Sequence, residues 1–89
     1  MISLEDCVAF CGLTEEEVAA IAEHEHVPEI AATTLARYLL NQKHGLQDIQ
    51  KMIVEDIRAA TDARDFPHAA ELVSALRHLI DTHPQALAT

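Results

Sequence analysis

Aromatic residues are almost missing from this chain: Phe10, Phe66 and Tyr38 are its only rings. Their scarcity argues against a binding surface built on stacked rings, the usual platform for single-stranded nucleic acid or sugars. Lysine and arginine are also scarce, six against fifteen Asp and Glu, for a formal charge of −9. Such a balance removes the attraction that supplies most nonspecific affinity for phosphate backbones and anionic lipid, so neither nucleic acid nor a membrane surface is an expected partner. Gly12 and Gly45 are the only glycines, and Ser3 and Ser74 the only serines. No phosphate-cradling loop and no Gly-x-Ser-x-Gly nucleophile elbow can be built from them. No apolar run approaches the ~18 residues of a membrane span, and acids stand near the N-terminus where a signal peptide has a basic region. The expectation is a cytoplasmic protein whose sequence holds no complete catalytic constellation, which leans against an enzyme without deciding it.

What the chain does contain is aliphatic. Of its 89 residues 49% are hydrophobic, including fifteen Ala, ten Leu, seven Ile and five Val. That length predicts one domain over residues 1–89, burying about 60–65% of its unfolded surface around a modest core.

Capping and proline signals divide the chain into five helical segments, with no period-two alternation long enough for strands, so the fold class expected is all-α. Ser3 followed by Asp6 is a weak capping pattern, after which Leu4, Cys7, Val8 and Cys11 recur at helical spacing until Gly12. Thr14 with Glu17 is a full capping box for a second helix striped by Val18, Ile21 and Ala22, ended near His26 by Pro28. Pro28 opens a third helix, to about Gln42, which Gly45 stops. This helix is apolar around most of its circumference, which predicts a central position and, with Leu40 and Ala36 lying off the Leu35–Leu39 face, self-association into a homo-oligomer. A fourth helix from Leu46 to Ala63 carries Leu46, Ile49, Ile53, Ile57 and Ala60 inward and the pairs Lys51–Glu55 and Arg58–Asp62 outward. A turn then leads to Pro67 and a fifth helix striped by Ala69, Leu72, Val73, Leu76, Leu79 and Ile80. The last two helices are expected to pair antiparallel, and residues 84–89 to fray.

Charge is unevenly placed. Residues 1–29 hold eight acids and no Lys or Arg, whereas residues 30–89 hold seven acids and six bases. Some of these acids suit first helical turns, where the macrodipole favours them; together they also form an anionic face for a basic protein partner or for cations.

The run Glu23-His24-Glu25-His26 is the densest set of candidate ligands. Glu23 and His26 make Glu-x-x-His, the spacing that puts a carboxylate and an imidazole on one side of a helix and builds half of a dimetal site in helical bundles. At 100° per residue Glu25 falls on the apolar stripe while His24 points away. Glu23, Glu25 and His26 are therefore the candidate metal ligands, with His24 or Glu29 in reserve, for Zn²⁺ or Fe²⁺ in a site shared across a dimer; His68 and Glu71 repeat the pattern in reverse. Cys7 and Cys11, one turn apart, lack the hairpin and histidine spacing of a zinc finger and read as small core thiols. His44 is expected at the C-terminal end of the third helix, where the dipole favours a cation, and His78 on the polar face of the fifth with Glu71.

The runs Ile2 to Cys7, Cys11 to Val18 and Ala22 to Ile30 resemble a group of small uncharacterised bacterial all-helical proteins. The resemblance covers about half of the chain and implies a bacterial cytoplasmic setting, with no activity to carry over. The expectation for function is a protein–protein interaction or regulatory module, with a metal-binding helical protein as the alternative.

Overall fold

The structure is a computed structural model that describes residues 3–84, apart from the side chain of Phe10. It has five helices and, among the described residues, no strand: α1 (Leu4–Cys11), α2 (Glu15–Glu25), α3 (Glu29–Leu40), α4 (Gly45–Asp62) and α5 (Phe66–Thr82). Most of the tail expected to fray lies outside the described residues.

Three of the five helices, α1, α2 and α5, begin on a side-chain cap. Ser3 and Thr14 both form complete capping boxes: the Asp6 and Glu17 amides donate to the hydroxyls, and the two carboxylates accept the cap N–H groups. Asp65 starts α5 by accepting the His68 N–H at 3.3 Å. Gly12 closes α1 at φ 92°, the left-handed region where glycine carries no Cβ penalty. His26 closes α2 and Arg64 follows α4 in the same region, at φ 56° and 59°. In both, the residue's own amide and the next one reach back into the last turn, His26 to the Glu23 carbonyl and Val27 to that of Ala22, Arg64 to the Thr61 carbonyl and Asp65 to that of Ala60, which is the Schellman arrangement.

Two boundaries differ from the sequence reading. Pro28 is the residue before α3, whose first turn begins at Glu29. Gly45 does not stop α3; it opens α4 and is buried, and a Cβ there would lie 1.4 Å from the Leu39 carbonyl oxygen. Glycine is required because the end of α3 and the start of α4 touch backbone to backbone. His44 consequently sits at the N-terminal end of α4, not at the C-terminal end of a longer α3.

Helices α4 and α5, joined by the turn at residues 63–65, form the most extensive packing pair. α2 packs on α3, α4 and α5, α3 on α1, α2 and α4, and α4 on α2, α3 and α5, so the centre is shared among α2, α3 and α4. Ile21, Ile49, Ile53, Leu79 and Val18 are fully buried, and among the described residues seven of the sixteen buried apolar ones are Ala. Alanines at the crossings let these helices approach closely but bury little area each, which keeps the core modest. Tyr38 and Phe66 are each 60% exposed and contribute little to it.

Apolar α3 is covered within the chain. Ala36 is fully buried, and Leu40 packs into the core beside Gly12. The ground for self-association drawn from these two residues is thereby removed; α3 leaves Ile30 and Tyr38 in solvent. On α5 Val73 is exposed and Ala75 takes the buried position. The outward pairs expected on α4 are not formed: among the described residues every ion pair contains a histidine, and Glu55 contacts His24 rather than Lys51. Cys11 is buried, with its S–H donating to the Val8 carbonyl at 3.2 Å, and Cys7 is half-buried; neither is in a disulfide. None of the described helices is long and apolar enough to cross a membrane.

Candidate functional site

The anionic third of the sequence becomes one wall of a cleft. On α2, Glu16 and Glu23 lie seven residues apart and hence on one face, with Ala19 and Ala20 between them. α5 supplies the opposite wall with His68, Glu71, Leu72, Ser74 and Ala75, and the space between is about 400 Å³. Its floor is apolar and small because Ala20, Leu72 and Ala75 are buried in the contact of the two helices. Its rim is acidic, with Glu16, Glu23 and Glu71 all exposed. A groove of about 670 Å³ along α1 is wider, but its apolar wall of Leu4, Val8 and Ala9 comes from a single short helix.

One end of the cleft is closed by a histidine bridge. His68 Nε2–H donates to Glu23 Oε1 at 2.5 Å, tying α5 to α2, and Nδ1 lies 3.6 Å from Glu71 Oε2. Next to it His24 Nε2–H donates to Glu55 Oε1 at 3.1 Å and ties α2 to α4. Partial burial pulls the pKa of each imidazole down, but hydrogen bonds and neighbouring carboxylates outweigh it, so both stand above the ordinary value. The groups responsible are Glu55, Asp56 and Glu25 for His24, and Glu23 and Glu71 for His68. Asp56 lies within reach of both bridges, and its Oδ2 is buried without a hydrogen-bond partner. Desolvation raises its pKa; the charge of His24 opposes this, Glu23 and Glu55 add to it, and His68 opposes it.

The metal ligands expected from sequence do not come together. His26 adopts the left-handed conformation, leaves the helical register, and so is not stacked one turn beyond Glu23. Glu23 is turned to His68 instead. Glu25 is exposed, with Oε1 3.5 Å from His24 Nδ1, while His24 faces α4, the reverse of the helical-wheel expectation. The α2 face that buries Ile21 meets no neighbouring helix at Glu25, whereas α4 lies beside His24. Among the described residues no three His, Cys, Asp or Glu side chains converge on a position that would hold a metal ion.

A third histidine bridge joins α2 to α5 at Glu17. Glu17 is 1% exposed, and beyond its capping contact its Oε2 lies 3.3 Å from Nδ1 of His78, which also approaches Thr82 Oγ1. The spacing of Glu17 to Ala20 and Ile21 placed it on the buried face, but the capping role gave a sufficient reason for a carboxylate there. That His78 pairs with Glu17, sixty-one residues away, and not with Glu71, depends on how α5 crosses α2.

No family model, no curated protein and no solved structure matches this chain. The resemblance of its N-terminal half to small bacterial helical proteins stands on the sequence runs alone.

Proposed function

We propose that the protein is a non-enzymatic interaction module that holds a basic protein partner on the α2–α5 face. The observation that carries this reading is the cleft whose floor is apolar and whose rim carries Glu16, Glu23 and Glu71. No Lys or Arg among the described residues forms an ion pair with these carboxylates; His68 contacts Glu23 and Glu71, and Glu16 is in none of the ion pairs. Interfaces of this composition gain specificity and association rate from the complementary field and affinity from the desolvated floor. A partner's cations therefore compete with His68 for Glu23 and Glu71 and meet no internal ion pair at Glu16.

The reading is tested by titrating isotope-labelled protein with a twenty-residue poly-lysine probe and following amide shifts. The shifts are expected along the Glu16–Glu23 face and around Glu71, weakening as salt rises through the range where exposed charges are screened. Shifts spread equally over Asp48, Asp62 and Asp81 refute it, because they would reflect net charge and not a site.

A further inference from the structure

We infer that the last turn of α2, residues 23–26, is a proton-operated clasp: it closes on α4 and α5 while His24 and His68 carry a proton on both ring nitrogens, and it lets go when they do not. The device does not depend on what the α2–α5 cleft binds. The first argument is what holds this turn. Ile21 and Ala22 are the last buried residues of α2; beyond them Glu23, Glu25 and His26 are exposed and His24 is half-buried. The turn is therefore attached by polar contacts, Glu23 to His68 of α5 and His24 to Glu55 of α4. The helix before it is held by buried aliphatic surface, which a change of pH does not remove.

The second argument is the number of acceptors at each ring. His68 presents Nε2 to Glu23 and Nδ1 to Glu71. His24 presents Nε2 to Glu55, while its Nδ1, shut off from solvent, lies 3.5 Å from Glu25. An ionised carboxylate only accepts, so two of them at one imidazole call for an N–H on each nitrogen, and only the imidazolium has both. A neutral ring keeps one carboxylate and turns a lone pair to the other. The third argument is the lack of another cation. Glu23 and Glu25 of α2, Glu55 and Asp56 of α4 and Glu71 of α5 surround the two rings. α3, also packed on α2, brings neither Glu29 nor Arg37 into an ion pair, and among the described residues no Lys or Arg pairs with any of the five carboxylates. Asp56 Oδ2 has no hydrogen-bond partner, so the charges of His24 and His68 are what offset its own. Neighbouring carboxylates hold both rings above the ordinary imidazole value, so the change of charge falls between mildly acid and mildly alkaline pH. The other end of α2 is built differently: His78 meets one carboxylate, that of Glu17, through Nδ1, and a neutral ring satisfies it.

The test is amide hydrogen exchange read residue by residue by NMR at pH 6 and pH 8, each rate divided by its intrinsic value at that pH. The His26 and Val27 amides, which bond back to the Glu23 and Ala22 carbonyls, should lose about fivefold in protection at pH 8, the size of two partly exposed charge pairs together. Protection of the Val18 amide, bonded to Thr14 at the opposite end of α2, should change by less than about twofold. Glutamine offers one donor and one acceptor, like neutral imidazole, so His24→Gln with His68→Gln should show at pH 6 the protection that the parent shows at pH 8. Glu25→Gln with Glu71→Gln, both at exposed positions, removes the second carboxylate at each ring and should shrink the loss. An equal loss at His26, Val27 and Val18 overturns the inference, because it reports global unfolding. Protection at His26 and Val27 that is flat or rises with pH, or a loss that persists without the two histidines, overturns it as well.

Discussion

Glu17→Ala is expected to remove a large share of the fold's stability, and Glu17→Gln only a little. The side chain is 1% exposed and accepts the Thr14 N–H at 2.8 Å, while its second oxygen meets His78. Alanine deletes both contacts, one buried methylene and the acceptor of a part-buried amide. A hydrogen bond to a charged acceptor contributes about 2 kcal/mol and a buried methylene about 0.8 kcal/mol. The His78 contact counts for little because that side chain is half exposed. The total is about 3 kcal/mol, against the roughly 4–13 kcal/mol expected for 89 residues, and corresponds to a fall in melting temperature of about 12–24 °C. Glutamine retains an oxygen for Thr14 and nearly the same volume, so its cost stays below about 1 kcal/mol, or about 4–8 °C. Thermal unfolding followed by far-ultraviolet circular dichroism reads both. An alanine variant melting within about 5 °C of the parent refutes the bridge's role. A glutamine variant as unstable as the alanine one refutes the assignment to hydrogen bonding and volume, and points to charge.

Other perturbations read other parts of the structure. His24 and His68 are raised above their unfolded value near 6.5, so the stability they add is complete below that value and lost as pH rises through their folded pKa; raised Asp56 acts in the same sense, its ionised form being disfavoured on folding. Urea midpoints should therefore fall from pH 6 to pH 8, and His24→Gln with His68→Gln should flatten the trend; a rise over that interval contradicts the bridges. Gly45→Ala, with its Cβ driven onto the Leu39 carbonyl, should cost more than about 2 kcal/mol, while Gly12→Ala, strained by its φ of 92° and by a Cβ 3.1 Å from the side-chain tip of Leu40, should cost about 1 kcal/mol; equilibrium unfolding giving the opposite order would place the close backbone contact elsewhere. His26→Gly should leave stability unchanged or slightly raised, since glycine suits φ 56°, and should not alter the response of the melt to Zn²⁺ or Fe²⁺; a metal-induced stabilisation that this variant abolishes would restore His26 as a ligand.

The helices and their caps were legible in the sequence because each signal is local: the boxes at Ser3 and Thr14 and the stripe of α4 depend on residues a few positions apart. Gly45 misled because a glycine after an apolar run looks the same whether it ends one helix or admits the next against a backbone; only the approach of Leu39 distinguishes the two. Leu40 misled for a related reason. A helical wheel shows which residues leave the main face but not whether α1 folds over them. Within the chain the Glu-x-x-His spacing is broken at one dihedral, that of His26, since the i, i+3 geometry holds only while both residues are helical. The acids Glu16 and Glu23 were visible as part of an anionic third, yet the wall opposite them comes from residues more than forty positions later, and no local pattern records that α5 returns to α2.

The most direct measurement is zero-length carbodiimide cross-linking of the protein in extracts of the cell that makes it, with the joined peptides identified by mass spectrometry. Lysine adducts are predicted to concentrate on Glu16, Glu23 and Glu71, joined to one recurring basic segment of a discrete partner. Adducts distributed over Glu5, Asp48 and Asp62 in proportion to exposure, or joined to no recurring segment, would contradict the cleft as the docking site.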